Sequence, residues 1–220
     1  MRYNNLIFDL DGTLLDTLQD LSDSVNSALL KYGFPAHTPE EYKARIGNGF
    51  RNLMEVSLPA DCRDDATISN VLNEFLDVYS KNYTRRTKPY DGIEQLLSEL
   101  TRKNVLLGIN SNKRTDYTEE LVRKNFPNIS FVGVFGERSG VAKKPDPTSA
   151  LEIAALMKLK PEEIIYIGDS GTDIQTGINA GMATAGVLWG FRGIEEFTQA
   201  HADDVFHAPH EITELLSFGG

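Results

Sequence analysis

Apolar and polar positions change rhythm several times along the chain, and each change marks an element. Leu6-Ile7-Phe8 is a short apolar run cut off by Asp9 and Asp11, with Gly12 close behind. That pattern predicts a buried strand over Asn5–Phe8 and then a turn. From Leu18 onward the apolar residues Leu21, Val25, Ala28 and Leu29 recur at helical spacing up to Gly33, a natural helix stop. Thr38-Pro39-Glu40-Glu41 has the form of a capping box with proline in the first turn, so a second helix is expected from there to about Gly47. A short helix after Gly49 and a longer one from about Ala66 to Tyr83 follow, the longer one carrying Ile68, Val71, Leu72, Phe75, Val78 and Tyr79 on one side.

Beyond the polar stretch Arg85-Arg86-Thr87-Lys88-Pro89 the rhythm alternates between short apolar runs and amphipathic segments. Strands are expected at Val105–Ile109, Phe131–Val134, Ile164–Ile167, Ala183–Leu188 and Asp204–Phe206. Helices are expected at Ile93–Lys103, Arg114–Asn125, Pro147–Lys158 and Thr172–Ala180. Such alternation predicts an α/β protein with a parallel-sheet, Rossmann-like core and helices on both faces. The core takes residues 1–16 and 86–220, and an all-helical cap domain, residues 17–85, is inserted after the first strand.

Composition narrows the function. A hydrophobic content of 40% over 220 residues is enough for a real core. The formal charge of −10 argues against nucleic acid and against an anionic membrane surface, both of which need a basic face. No window approaches the roughly 18 apolar residues of a membrane span. The single cysteine, Cys62, excludes an internal disulfide and fits a reducing compartment. A cytoplasmic protein is expected, as a monomer or homodimer.

Ligands of open parallel sheets bind beyond the carboxyl ends of the strands, and four polar clusters lie there. In Asp9-Leu10-Asp11-Gly12-Thr13, two carboxylates two residues apart can face one site. Asn110-Ser111-Asn112-Lys113 offers a hydroxyl and backbone amides ahead of a helix, a combination suited to an anion. Lys144-Pro145-Asp146-Pro147 places a cation at a proline-bounded helix start, and Gly168-Asp169-Ser170-Gly171-Thr172-Asp173 adds two more carboxylates. Taken singly, Ser111 reads more readily as a helix cap and Lys144 as a surface lysine. Together the four gather more carboxylates than a sheet edge needs for structure, and crowded carboxylates need a cation. Magnesium suits an all-oxygen donor set, whereas His37, His201, His207 and His210 are scattered and offer no zinc site. Positive groups, a metal and an aspartate able to attack phosphorus together point to phosphoryl transfer.

The order Asp9-x-Asp11-Gly12-Thr13, Ser111-Asn112-Lys113, Lys144-Pro145, Gly168-Asp169-Ser170-x-x-Asp173 resembles the haloacid dehalogenase superfamily of phosphohydrolases over nearly the whole chain. The resemblance implies that Asp9 is the nucleophile and Asp11 the general acid and base. It implies that Ser111 and the Asn112 amide hold phosphoryl oxygens and that Lys144 offsets charge on the phosphate and Asp9. Magnesium would be held by the Asp9 side chain, the Asp11 backbone carbonyl and Asp169, with Asp173 a direct or water-mediated ligand. Branches that cleave carbon–halogen or carbon–phosphorus bonds lack an aspartate at the second position, so Asp11 implies phosphate-ester hydrolysis. A mutase, a pyrophosphatase and a non-enzymatic phosphate-binding module remain as alternatives. Gly47-Asn48-Gly49-Phe50-Arg51-Asn52-Leu53 resembles the cap loop of phosphoglycolate phosphatases, as does Tyr90-Asp91-Gly92-Ile93 the start of their core, although Asp91 stands where that family usually has proline. The implied substrate is a small phosphorylated metabolite bearing a carboxylate, such as 2-phosphoglycolate. Asn48 and Arg51 would then be specificity residues, although Gly47-Asn48-Gly49 reads equally as a turn between helices and Arg45 and Arg51 as solvated.

Overall fold

The computed structural model describes residues 5–217 and divides the chain into two compact units, Asp16–Lys88 and the flanking chain on both sides of it. The larger unit begins with β1 (Asn5–Phe8). The two passages between units, β2 (Leu15–Asp16) and β3 (Lys88–Pro89), pair as a two-stranded sheet.

The smaller unit is helical: α1 (Leu18–Lys31), α2 (Pro39–Lys43), α3 (Phe50–Ser57) and α4 (Asp65–Asn82). Thr38 and Glu41 form the expected capping box. The helix it starts ends at Lys43 rather than near Gly47, because the chain turns there and Gly47 and Gly49 both take positive φ angles (126° and 84°) that a helix cannot use. Asp64 caps α4 by accepting from the Ala66 and Thr67 amides. The rings of Phe50, Phe75 and Tyr79 lie 5.0–5.4 Å apart between centroids and fill the middle of the unit. Beyond their area, such aromatic pairs contribute about 0.5–1.5 kcal/mol each.

After β3 the larger unit resumes with α5 (Ile93–Arg102), β4 (Leu107–Arg114), α6 (Thr115–Asn125), β5 (Gly133–Glu137), α7 (Thr148–Met157) and β6 (Ile164–Gly168). It closes with α8 (Gly171–Ala180), β7 (Ala183–Val187), α9 (Ile194–Gln199), β8 (Asp204–Phe206) and α10 (Pro209–Ser217). The six strands form one parallel sheet in the order β5-β4-β1-β6-β7-β8, so the core is α/β and Rossmann-like. Leu6, Ile7 and Phe8 are all buried, as are all five residues of β6, which is why these strands read as continuous apolar runs rather than alternating ones. On one face Ile7, Ile164 and Tyr166 pack with Ile153, Ala154 and Met157 of α7.

The strand order makes the site's position a matter of topology. From central β1 the chain moves outward through β4 and β5, then returns to β6 on the other side of β1 and continues to β7 and β8. The sense of winding thus switches between β1 and β6, where such sheets open a crevice beyond their carboxyl ends.

In the larger unit, three further features depart from the sequence expectation. β4 begins at Leu107 and runs to Arg114 instead of ending at Ile109, because its polar half pairs onward with β5 (Arg114 opposite Glu137, across an irregularity) and is buried. β5 accordingly sits later, at Gly133–Glu137. Helices α9 and α10 are additions. The former is too short to show periodicity, and the latter is announced only by Pro209 in its first position.

One buried side chain secures the return of the helical unit's chain. The Asp20 carboxylate, 3% exposed, accepts the amide N–H of Arg86 (2.9 and 3.1 Å) and of Thr87 (2.9 Å). Asp20→Ala leaves these amides without their acceptor and should cost about 2–3 kcal/mol by urea unfolding. A change under about 0.5 kcal/mol would show that water replaces the carboxylate without penalty.

Candidate active site

Asp9 leaves β1 directly and Asp169 leaves β6 directly, and the two strands are held in register by pairs such as Phe8 with Ile167. The Asp9 amide donates to the Ile167 carbonyl (2.9 Å), extending that register to the carboxylate itself. Asp173 arrives from the first turn of α8, where Ser170 caps the helix: the Asp173 Oδ2 accepts from the Ser170 hydroxyl (2.6 Å) and amide (3.1 Å). Asp9, Asp169 and Asp173 are buried, and one oxygen of each lies within 4.8 Å of the others.

Lys144 stands between two of them, its Nζ 2.8 Å from Asp9 Oδ1 and 2.7 Å from Asp173 Oδ1. Its backbone is fixed from β4: the Lys144 amide donates to Asn112 Oδ1 (2.9 Å) and the Asn112 Nδ2 donates to the Lys144 carbonyl (3.3 Å). Ser111 accepts the Lys113 amide at Oγ (3.2 Å), so its hydroxyl proton remains for another acceptor. Asp11 is set apart from the carboxylate cluster and pairs with the buried ammonium of Lys113 at 2.9 Å.

Close approach needs glycine at the turn. Gly12 has φ +84°, and a Cβ there would run into the Asp169 carboxylate; one on Gly190 would meet Asp169 and the Gly12 carbonyl. The segment after β7 braces the same turn, with the Phe191 amide donating to Asp169 Oδ2 (2.7 Å) and Trp189 Nε1 to the Thr13 carbonyl (2.9 Å). Glu196 accepts the Gly171 amide at the start of α8 (2.7 Å).

Electrostatically the cluster is short of positive charge. Burial pushes the Asp9 carboxyl up to about 7, with Asp173 and Asp11 adding to the rise and Lys144 opposing it. Asp169 is raised well above the usual carboxylate range by burial and then by Asp173 and Asp9. Burial disfavours the Lys144 ammonium, but Asp173 and Asp9 override that and hold it firmly charged. Three buried carboxylates against one lysine, all with oxygen donors, fit a hard divalent cation. No histidine belongs to this cluster among the described residues.

Ser111, Asn112, Lys144, Asp9, Asp11, Asp169 and Asp173 therefore all lie in the larger unit around one strand-end crevice. Asn48 and Arg51 belong to the helical unit: Asn48 is exposed in the turn before α3, and Arg51 pairs with Asp65 (2.6 Å) and Ser69 (3.4 Å). Sequence reasoning gave no role to Lys113, Trp189, Phe191 or Glu196. The last three follow the β7 strand end, where the same strand-end rule would have led to them.

Residues 6–187 match the family model described as haloacid dehalogenase-like hydrolase. The chain is 32% identical to a phosphoglycolate phosphatase of Aquifex aeolicus, covering 91% of this chain and 93% of that one. It is 28% identical to an N-acetylmuramic acid 6-phosphate phosphatase of Pseudomonas aeruginosa, over 98% and 96%. A crystal structure from Lactobacillus delbrueckii subsp. bulgaricus, provisionally named a phosphoglycolate phosphatase, superposes with a TM-score of 0.93 at 29% identity, covering 98% of this chain and 99% of that one.

The cluster's electrostatics set a pH dependence. An unfolded aspartate titrates near 3.9, whereas folded Asp9 titrates near 7, so the folded state holds an extra proton between these values. Metal-free stability therefore falls as pH rises from about 4 to about 7. A divalent cation competes with that proton, and the rise in Tm caused by magnesium should be larger at pH 8 than at pH 5. An equal or larger rise at pH 5 would contradict this account of the carboxylates.

Proposed function

The chain belongs to the haloacid dehalogenase-like hydrolases, and from that premise we propose that it is a magnesium-dependent phosphatase that hydrolyses a small phosphomonoester through an aspartyl-phosphate. The observation that carries this reading is the separation of two kinds of carboxylate. Asp9 lies in the buried cluster with Asp169, Asp173 and Lys144, while Asp11, two residues on, is held outside it by Lys113.

In this reading an Asp9 carboxylate oxygen attacks phosphorus and the ester P–O bond breaks, its electron pair going to the leaving oxygen. Asp11 supplies the proton that oxygen needs. Water then attacks the phosphorus of the acyl phosphate, gives a proton to Asp11, and releases inorganic phosphate and the Asp9 carboxylate. Ser111 donates its hydroxyl proton to a phosphoryl oxygen, the Asn112 amide binds a second, and Lys144 neutralises charge shared by Asp9 and the phosphoryl group. Asp9, Asp169 and Asp173 would hold magnesium together with the Asp11 backbone carbonyl. The ion, when bound, supplies positive charge against the anionic phosphoryl group.

Substrate choice belongs in this reading to a phosphomonoester that also carries an acid group, with 2-phosphoglycolate the leading candidate. The names of both relatives given above specify esters of that kind, and the net charge of −10 means that any anionic substrate must be held by local cations. We assign discrimination to the helical unit, with Asn48 and Arg51 as its candidates, because the reactive groups all lie in the other unit. The Arg51–Asp65 pair is exposed, and such pairs contribute only about 0–1 kcal/mol, so a substrate carboxylate can compete for the guanidinium.

Asp9→Asn should abolish steady-state phosphate release while leaving the protein folded, since an amide is a far poorer nucleophile. Activity within about tenfold of wild type, a loss of only ~1.4 kcal/mol, would remove Asp9 from the nucleophile's role. Arg51→Ala should lower kcat/KM for phosphoglycolate roughly ten- to a hundredfold more than for a phosphate ester without a carboxylate. Equal losses on the two substrates would exclude Arg51 as the carboxylate's partner.

A further inference from the structure

Lys113 is a lysine whose side chain is 1% exposed, on a strand that hydropathy alone would have ended at Ile109. Strands β1 and β4 are neighbours, with Phe8 opposite Ile109, so continuing β4 carries Lys113 alongside the turn that holds Asp11. The backbone of Lys113 is tied at both ends: its amide donates to Ser111 Oγ (3.2 Å) and its carbonyl accepts from Thr118 Oγ1 (3.2 Å). Its neighbour Gly136 leaves room for that carbonyl, since a Cβ there would collide with it. The ammonium is thus delivered to Asp11 Oδ1, at 2.9 Å, by a backbone that cannot readily move.

Stability does not explain such an arrangement. A buried ion pair seldom stabilises a fold more than well-packed apolar residues of the same volume would. Its effect here is positional: Asp11 is only two residues from Asp9, yet its carboxylate is excluded from the cluster formed by Asp9, Asp169 and Asp173. We propose that Lys113 is a positioning residue that holds the Asp11 carboxylate apart from the metal-binding carboxylates and turned to the leaving group. The proposal rests on the reading of Asp11 as the acid and base.

The test is single-turnover phosphorylation of the enzyme, by rapid quench with magnesium, on an alkyl phosphate and on p-nitrophenyl phosphate, whose leaving group needs little protonation. Lys113→Met should slow the alkyl ester roughly ten- to a hundredfold and the aryl ester less than about threefold, a partial loss of the ~10²–10⁴-fold that positioned proton transfer contributes. Lys113→Arg, which keeps the charge, should recover part of the alkyl rate. The double variant Asp11→Asn/Lys113→Met should be no slower than Asp11→Asn alone, because Lys113 acts only through Asp11. This variant removes both charges together and so serves even if Lys113→Met does not fold. Equal losses on the two esters, or a double variant markedly slower than Asp11→Asn, would overturn the positioning role while leaving the acid role of Asp11 standing. If Asp11→Asn itself showed no difference between the esters, the acid role would fall and the proposal with it.

Discussion

Placing three carboxylates out of water at the ends of β1, β6 and the first turn of α8 is the costliest thing this chain does. Ionised carboxylates lose several kcal/mol each on desolvation unless they are paired or bind a cation. Lys144 offsets part of that cost by touching Asp9 and Asp173 together. The remainder appears as raised proton affinity at Asp9 and Asp169, a shortage of positive charge that a bound cation would relieve. Much of the surrounding geometry follows from keeping these groups close. Gly12 and Gly190 allow backbone against Asp169, Ser170 holds Asp173 through its cap, and Asn112 grips the backbone of Lys144 on both sides.

The scaffold makes that crowding possible. A parallel sheet aligns the carboxyl ends of its strands, and the switch of winding between β1 and β6 opens a crevice that adjoining helices do not fill. Lys113 is carried on β4 beside β1, and Asn112 of the same strand grips the backbone of Lys144, which keeps ion-pair distances of 2.9 and 2.8 Å between groups separated by more than a hundred residues in sequence. Such preorganisation is the largest part of what a phosphoryl-transfer site has to provide. The relatives matched over nearly the whole chain are named as phosphatases of different phosphate esters.

Two ammonium groups divide the labour. Lys144 sits among the cluster carboxylates and Lys113 sits on Asp11, so two aspartates two residues apart occupy distinct environments. In the function proposed above, one chain segment thereby presents one carboxylate to phosphorus chemistry and another to proton transfer. The helical unit is stabilised separately, by its own aromatic cluster and by Asp20 holding the Arg86 and Thr87 amides.

The sequence by itself determined those features that local pattern encodes. A three-residue apolar run ending in Asp9 announced β1 and its strand-end carboxylates, and Thr38-Pro39-Glu40-Glu41 announced a capped helix. The carboxylates, hydroxyl and lysine of the four polar clusters at strand ends pointed to phosphoryl transfer, and the order of the clusters carried the resemblance to a family. Only the tertiary structure decided which charges meet. Asn110 to Lys113 look like a loop to hydropathy, and they are strand because β5 pairs with Asn110 and again with Arg114 and because Asp11, some hundred residues earlier, supplies a partner that makes a buried lysine tolerable. Asp20 likewise reads as an ordinary first-turn acid of α1 until the chain returns at Arg86 and Thr87. The physical reason is the same in each case: periodicity reports which side of an element avoids water, whereas the burial of a charge depends on a partner that local sequence does not contain.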